Sequence, residues 1–269
     1  MLFRSAKLRW FLTELAAIDH VGVIRIGTRV PVTLPQKLFD MDLIEMLSSV
    51  EKVWIQTHFN HPAELTPEAY RGCRNLINAG MPINNHAVLL KGVNDSVAVM
   101  RTLLRGLMRM KVRPYYLFHC DPVTGAGHFR TSVWKGIEII EGLRGHISGL
   151  AVPQYVVDGI RGAGKIPLMP NYLVSASENS VVLRNYEGMI FRYAPEDKAN
   201  AAPEGVASTG VSNLMSGNGE VLMPEGTQRM QRRQQRALSY TTDSRGGEPL
   251  LPIVDLGAGC ASEIGRAHV

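Results

Sequence analysis

Residues 53–59 read VWIQTHF, and two later stretches follow the same pattern, INNHAVLL at 83–90 and VRPYYLFHC at 112–120. Each is a short, mostly apolar run rich in β-branched and aromatic residues, as a buried strand requires. Between them lie segments of helical spacing. Thr66 is a plausible N-cap with Pro67 at the first helical position, for a helix through about Asn78 that Gly80 ends. Ser96 to Met110 and residues 132–143 carry apolar spacing for two more helices. Upstream, residues 7–18 and 40–50 read as helices and VGVIRI (21–26) as a strand; downstream, LAVPQYVVD (150–158) is a fifth strand.

Strands alternating with helices imply parallel βα units. The strands read as near-continuous apolar runs, which suits a sheet covered on both faces. Polar residues gather at the strand C-terminal ends, namely Arg29, His58, Asp121 and Asp158. In a βα barrel that end carries the active site. An open doubly wound sheet is the competing arrangement, but no glycine-rich nucleotide fingerprint follows the first strand.

After Asn171 the pattern changes. YLVSAS (172–177) and SVVLRNYEG (180–188) alternate across Glu178-Asn179, and MIFRY (189–193) continues, so an antiparallel hairpin or meander is expected over 171–196. Residues 197–221 are rich in Gly, Ala, Ser and Asn and read as a linker; Pro224 to Ala237 suggests a short basic helix within a loose tail reaching 262. Residues 1–5 and 263–269 resemble translated sequencing-adapter DNA and are expected to be non-native.

Composition restricts the function classes. The chain has 269 residues, 45% hydrophobic and 20% charged, enough for one sizeable core. No apolar run approaches the roughly 18 residues of a membrane span, and no signal peptide is visible, so a cytoplasmic globular protein without membrane contact is expected. The net charge of +5 owes something to Arg229, Arg232, Arg233 and Arg236. With no aromatic residues interleaved for stacking, that cluster reads as a solvated helix face, not a nucleic-acid site. Three distant cysteines, Cys73, Cys120 and Cys260, make neither a disulfide framework nor the close thiolate spacing of an iron–sulfur cluster.

Several residues could carry chemistry. Lys165 ends Gly162-Ala163-Gly164-Lys165, after the strand closing at Asp158. A phosphate loop is excluded because Ile166 follows the lysine. An exposed turn lysine and a nucleophilic lysine that forms an imine both remain, and these residues alone favour the turn lysine. Asp121 and Asp158 each follow an apolar strand; they could converge on a cationic ligand or cap helices. His58 and His61 sit in THFNHP without a third metal ligand nearby, so a polar ligand contact by His58 is the better reading. Arg25, Thr28 and Arg29 could bind an anion or pair structurally.

RIGTRVPVTLPQ, THFNHPAELT, LLKGVNDS, VRPYYLFHCD, GHFRTSVWKGIEIIEGLRGHISGLAVPQYVVD and GKIPLMPNY resemble segments of lysine 2,3-aminomutases, continuously over about residues 8–196. The resemblance implies an α/β fold: a partial (β/α) barrel of the radical S-adenosylmethionine type over 6–170, lacking its N-terminal strands. It implies interconversion of L-lysine and L-β-lysine, started by a 5′-deoxyadenosyl radical from S-adenosylmethionine and a [4Fe–4S] cluster. It makes Lys165 the catalytic residue that holds pyridoxal 5′-phosphate as an imine. Asp121 and Asp158 become the ligands of the substrate's distal ammonium, and His58 and His86 neighbours of S-adenosylmethionine. The full-length protein is expected to be a homo-oligomer.

The resemblance has departures. The CxxxCxxC cluster motif lies upstream in the family and is missing here, so no metal ligand is expected in this chain and the polypeptide alone is expected to be inactive. His86 replaces a glutamine, Phe118 a tyrosine, and Ser96 a zinc-binding cysteine of some members, so no zinc is expected. The alternatives are a sister enzyme acting on another amino acid or on protein-bound lysine, and a pyridoxal-phosphate-binding remnant without radical chemistry.

Overall fold

A computed structural model describes residues 5–159, 164–177, 180–193 and 221–222. The chain divides into two compact units at Pro170/Asn171.

The first unit is a mixed α/β half-barrel: a curled six-stranded sheet in the order β1-β2-β3-β4-β5-β6. Helix α1 (Ser5–Ala16) leads to β1 (Ile24–Gly27), a short α2 (Val30–Thr33) and α3 (Met41–Ser48). Then β2 (Val53–Thr57), α4 (Pro67–Asn78), β3 (Ile83–Leu89), α5 (Val97–Arg109), β4 (Arg113–His119), α6 (Val133–Leu143) and β5 (Gln154–Gly159) alternate. Strands β1 to β5 pair in parallel, so their C-terminal ends share one rim. Every predicted strand and helix of this stretch is present. Asp40, Thr66, Ser96 and Ser132 accept backbone N–H bonds at the starts of α3, α4, α5 and α6, which satisfies donors the helix itself leaves free.

Two features differ from the sequence reading. The strands are not apolar on both faces. Ile24, Val53, Ile55, Ile83, Ala87, Leu89, Leu117 and Tyr155 project to the side where Leu76, Leu103, Leu104, Leu107, Ile139 and Ile140 complete the core. The alternate positions carry Arg25, Gln56, Asn84, His86, Tyr116 and Asp158. Helices therefore cover one face, and the other is a polar wall. Second, Lys165 lies not in a loop but in β6 (Gly164–Pro167), which runs antiparallel to β5 and pairs Asp158 with Lys165.

The second unit holds an antiparallel sheet of β7 (Leu173–Ser177), β8 (Ser180–Arg184), β9 (Ile190–Tyr193) and β10 (Val221–Leu222), in the order β10-β9-β8-β7. The expected meander is present; the Glu178-Asn179 turn lies outside the described residues. Val221–Leu222, within the stretch read by sequence as linker and tail (197–262), pairs with β9. The expected 224–237 helix also lies outside the described residues.

Helix α6 packs closely on β5 at Gly136. A Cβ on Gly136 would lie only 2.1 Å from Cζ of Tyr155, a fully buried residue. Gly136→Ala is therefore expected to lower unfolding free energy by about 1–3 kcal/mol, since the backbone of a packed helix must shift to admit one methyl group. Urea denaturation checks this; an unchanged midpoint would disprove the packing argument.

Candidate functional site

The polar wall and the strand rim define the site. β2 ends at Thr57, and a clamp fixes the chain that follows. Phe59 N–H donates to Asn85 Oδ1 (2.7 Å) and Asn85 Nδ2 donates back to the Phe59 carbonyl (3.0 Å). Asn60 Oδ1 accepts from Val88 N–H (2.7 Å), and fully buried Asn94 donates to the carbonyls of Asn60 and Val88 (2.8 Å each). Three asparagines thus replace sheet hydrogen bonds beyond the end of β2 and hold His58 over β3. Sequence reasoning passed over all three; their signal was a buried amide inside or just after an apolar run.

His58 Nδ1–H donates to the His86 carbonyl (3.1 Å), which fixes its tautomer. The two imidazoles meet edge to face at 5.5 Å. A register shift between β3 and β4 at Asn85/His86 sets Tyr116 opposite His86 and leaves Tyr115 as the extra residue. Tyr115 and Tyr116, which a regular strand would send to opposite faces, therefore lie with ring centres 4.0 Å apart and hydroxyls 3.2 Å apart. His86 has the rings of Tyr115, Tyr116 and Phe118 each at 5.6 Å.

Electrostatics follow this packing. Burial, then the nearby His58, Arg25 and Lys165, push His86 down to about 4. His58 is lowered as well, mainly by burial. Tyr116 is raised, first by its hydrogen bond with Tyr115 and then by burial. His86 Nε2 is buried without a partner, as is Gln56 Oε1 lower on the wall. These atoms are the unsatisfied groups a polar ligand could meet.

Lys165 stands at the far edge of this wall. Its ammonium lies 3.1 Å from Asp158 Oδ1 and 5.3 Å from the Phe118 ring centre. Both charged side chains keep solvent access, 45% for Lys165 and 38% for Asp158. Arg25, His58, His86, Phe118, Asp158 and Lys165 thus form one constellation. Asp121 lies exposed just past the end of β4, where its charge acts on His119.

Other candidates are structural. Arg29 pairs with Glu64 at 2.9 Å. His61 caps the 3-10 turn at Pro62, with Glu64 accepting from Asn60 and His61 N–H. Thr28 Oγ1 accepts from Val30 N–H, and Ser96 caps α5. Cys73 is fully buried, its thiol pushed up to about 12 by burial. No group of three or more His, Cys, Asp or Glu among the described residues could hold a metal ion. No helix among them is long and apolar enough to cross a membrane.

Known proteins supply the context for this constellation. A family model described as lysine-2,3-aminomutase matches residues 140–247, the segment that contains Asp158 and Lys165. The L-lysine 2,3-aminomutases of Acetoanaerobium sticklandii and Clostridium subterminale are 47% and 46% identical over 240 and 242 residues, 86% of this chain in each case. The chain belongs to the lysine 2,3-aminomutase family. It spans 58% of the length of each of these two relatives. The glutamate 2,3-aminomutase of Clostridioides difficile is also 47% identical, over 73% of this chain and 46% of its own length. Family membership of this aminomutase region therefore leaves the substrate to be argued from the site.

The depressed His86 gives a pH test. Its folded value, about 4, lies below the ordinary 6.5. Below about pH 6.5 the unfolded imidazole takes up a proton that the folded one refuses. Its contribution to stability is thus lost as pH falls from 6.5 toward 4 and levels off lower. His86→Gln should flatten the stability profile in that window by on the order of 2–3 kcal/mol relative to the unsubstituted chain. Parallel profiles from about pH 7 to 4 would show that His86 titrates normally.

Proposed function

We propose that this chain is the part of a lysine 2,3-aminomutase that anchors pyridoxal 5′-phosphate through Lys165 and selects a cationic amino acid through Asp158. The reading carries the family's reaction: migration of the 2-amino group of L-lysine to carbon 3, giving β-lysine. The single observation supporting it is Lys165, an accessible amine on a strand at the rim of a βα half-barrel, beside a carboxylate and an aromatic face.

The residues present fit the cofactor. An aldehyde needs an amine it can reach, and Lys165 Nζ is solvent-accessible. The Phe118 ring beside it offers an apolar face for a flat heteroaromatic ring. Bound there, pyridoxal phosphate supplies delocalisation for the electron density of the migrating group. Asp158 favours an ammonium and disfavours a carboxylate at its position, so a lysine side chain suits the site and a glutamate side chain does not. Asp121, exposed at the end of β4 on the same rim, is the second carboxylate of this reading.

S-adenosylmethionine would meet His58 and His86. His58 is oriented by its bond to the His86 carbonyl, and neutral His86 presents an unpartnered Nε2 beside three aromatic rings. A neutral imidazole tolerates a cationic sulfonium better than a charged one would. Among the described residues, Cys73 of α4 and Cys120, just past β4, are buried free thiols that do not fit an iron–sulfur cluster. No step of this proposal passes through a cluster held by this chain. Cytoplasmic location and homo-oligomeric assembly of the whole protein belong to the same reading.

Incubation with pyridoxal phosphate and then borohydride should leave a reduced pyridoxyl adduct on the peptide containing Lys165, and Lys165→Met should lose it. Adducts spread over surface lysines, with none enriched at Lys165, would end the cofactor reading. In the full-length enzyme, Asp158→Asn should raise the KM for lysine by about 10-fold or more, as expected when a charged partner is lost.

A further inference from the structure

The helical side of the half-barrel carries a cavity that the proposed function does not use. Its volume is about 510 Å³, within the range of small-molecule sites, and it opens between α4, α5 and the turn at Pro62. The polar wall lies on the other face of the sheet. Pro62, Leu65 and Met110 give the cavity apolar walls. Gly106 shapes it: a Cβ there would come within 2.2 Å of Leu65 Cδ1, so the bare helix position is what seats Leu65. The charged groups are of one sign. Arg105 and Arg109 line the cavity one helical turn apart, and no acidic side chain does. Helix α5, VAVMRTLLRGLMR, repeats arginine at 101, 105 and 109 and holds no Asp or Glu. Like charges at that spacing repel along a helix, and an anion bridging two of them relieves the repulsion.

The donors are placed for such an anion. Arg105 gives one N–H to the His146 carbonyl at 2.9 Å, which holds its guanidinium in place and leaves other N–H groups for a ligand. Arg109 is exposed and has no partner among the described residues. Tyr70 Oη accepts from Arg74 at 3.3 Å, so its own proton remains available. Thr102 gives its hydroxyl proton to the Ala98 carbonyl and lines the wall without donating. We propose that this cavity is a second binding site, for an organic phosphomonoester. A phosphate dianion balances two guanidinium charges and accepts from both, and Tyr70 adds a neutral donor. The tyrosine ring and the apolar walls receive the organic body of the ester. The site belongs to the helix layer, so its ligand does not meet Lys165 or Asp158, and its occupancy is independent of the cofactor reading.

The test titrates the chain with phenyl phosphate in a calorimeter at low salt, with inorganic phosphate and benzyl alcohol as controls. Phenyl phosphate should bind. Inorganic phosphate should bind about ten-fold more weakly, because no ring is buried, and benzyl alcohol, without a charge, should show no binding. Arg109→Gln, at an exposed helix position, should weaken phenyl phosphate binding about ten-fold, as the loss of a charge-assisted hydrogen bond does, and Tyr70→Phe about two- to five-fold. Thr102→Trp fills the cavity and keeps both arginines, so it should abolish binding. Arg9→Gln, which removes one charge on α1, should leave binding unchanged. An unaltered urea midpoint shows that each variant is folded. Absence of phenyl phosphate binding, equal binding of inorganic phosphate, binding that survives Thr102→Trp, or equal losses with Arg9→Gln and Arg109→Gln overturns the proposal. Phenyl phosphate carries no aldehyde, so a missing pyridoxyl adduct on Lys165 would leave these binding results standing.

Discussion

The pleat of a parallel sheet whose helices lie on one side is the constraint on which the rest depends. Successive side chains must point to opposite faces. The face under α4, α5 and α6 has to be apolar because the helices bring leucines and isoleucines to it. That requirement frees the other face. Arg25, Gln56, Asn84, His86, Tyr116 and Asp158 can be polar because they are not asked to build the core. Parallel pairing then aligns the strand ends, so polar residues from five strands and β6 arrive at one rim. The site is a by-product of how the core is closed.

Much of this was legible in the sequence. The βα rhythm, the caps at Thr66, Ser96 and Ser132, and the polar residues at strand ends are all local signals, and local signals survive folding. What was not legible depends on pairing between segments. GKIP at 164–167 has a glycine at one end and a proline at the other, with no alternation to mark a strand. Only its partner, β5, makes it one. The register shift at Asn85/His86 likewise exists only when β3 meets β4, and without it Tyr115 and Tyr116 would not share a face. The apolar strand runs misled for a related reason: Trp54, Val88, Phe118 and Val156 are apolar yet sit on the polar wall, so hydrophobicity alone blurred the two faces.

The site residues divide in the same way. Lys165 in isolation read as a turn lysine; resemblance to a family singled it out, and strand pairing gives it a physical setting. Asp121 lies exposed just past β4, where its charge acts on His119. His119 itself was read as the tail of a strand. It proves buried on the core face, 2.8 Å from the Tyr155 hydroxyl, where the two tie the end of β4 to the start of β5.

That tie bears on how the rim can work. Tyr155 is held on one side by His119 and packed on the other against Gly136, and burial pushes its hydroxyl up to about 12, so it stays a neutral donor. β5 is therefore fixed to β4 and α6 three residues before Asp158. Asp158 thus projects from an anchored strand, and Lys165 meets it from the neighbouring β6.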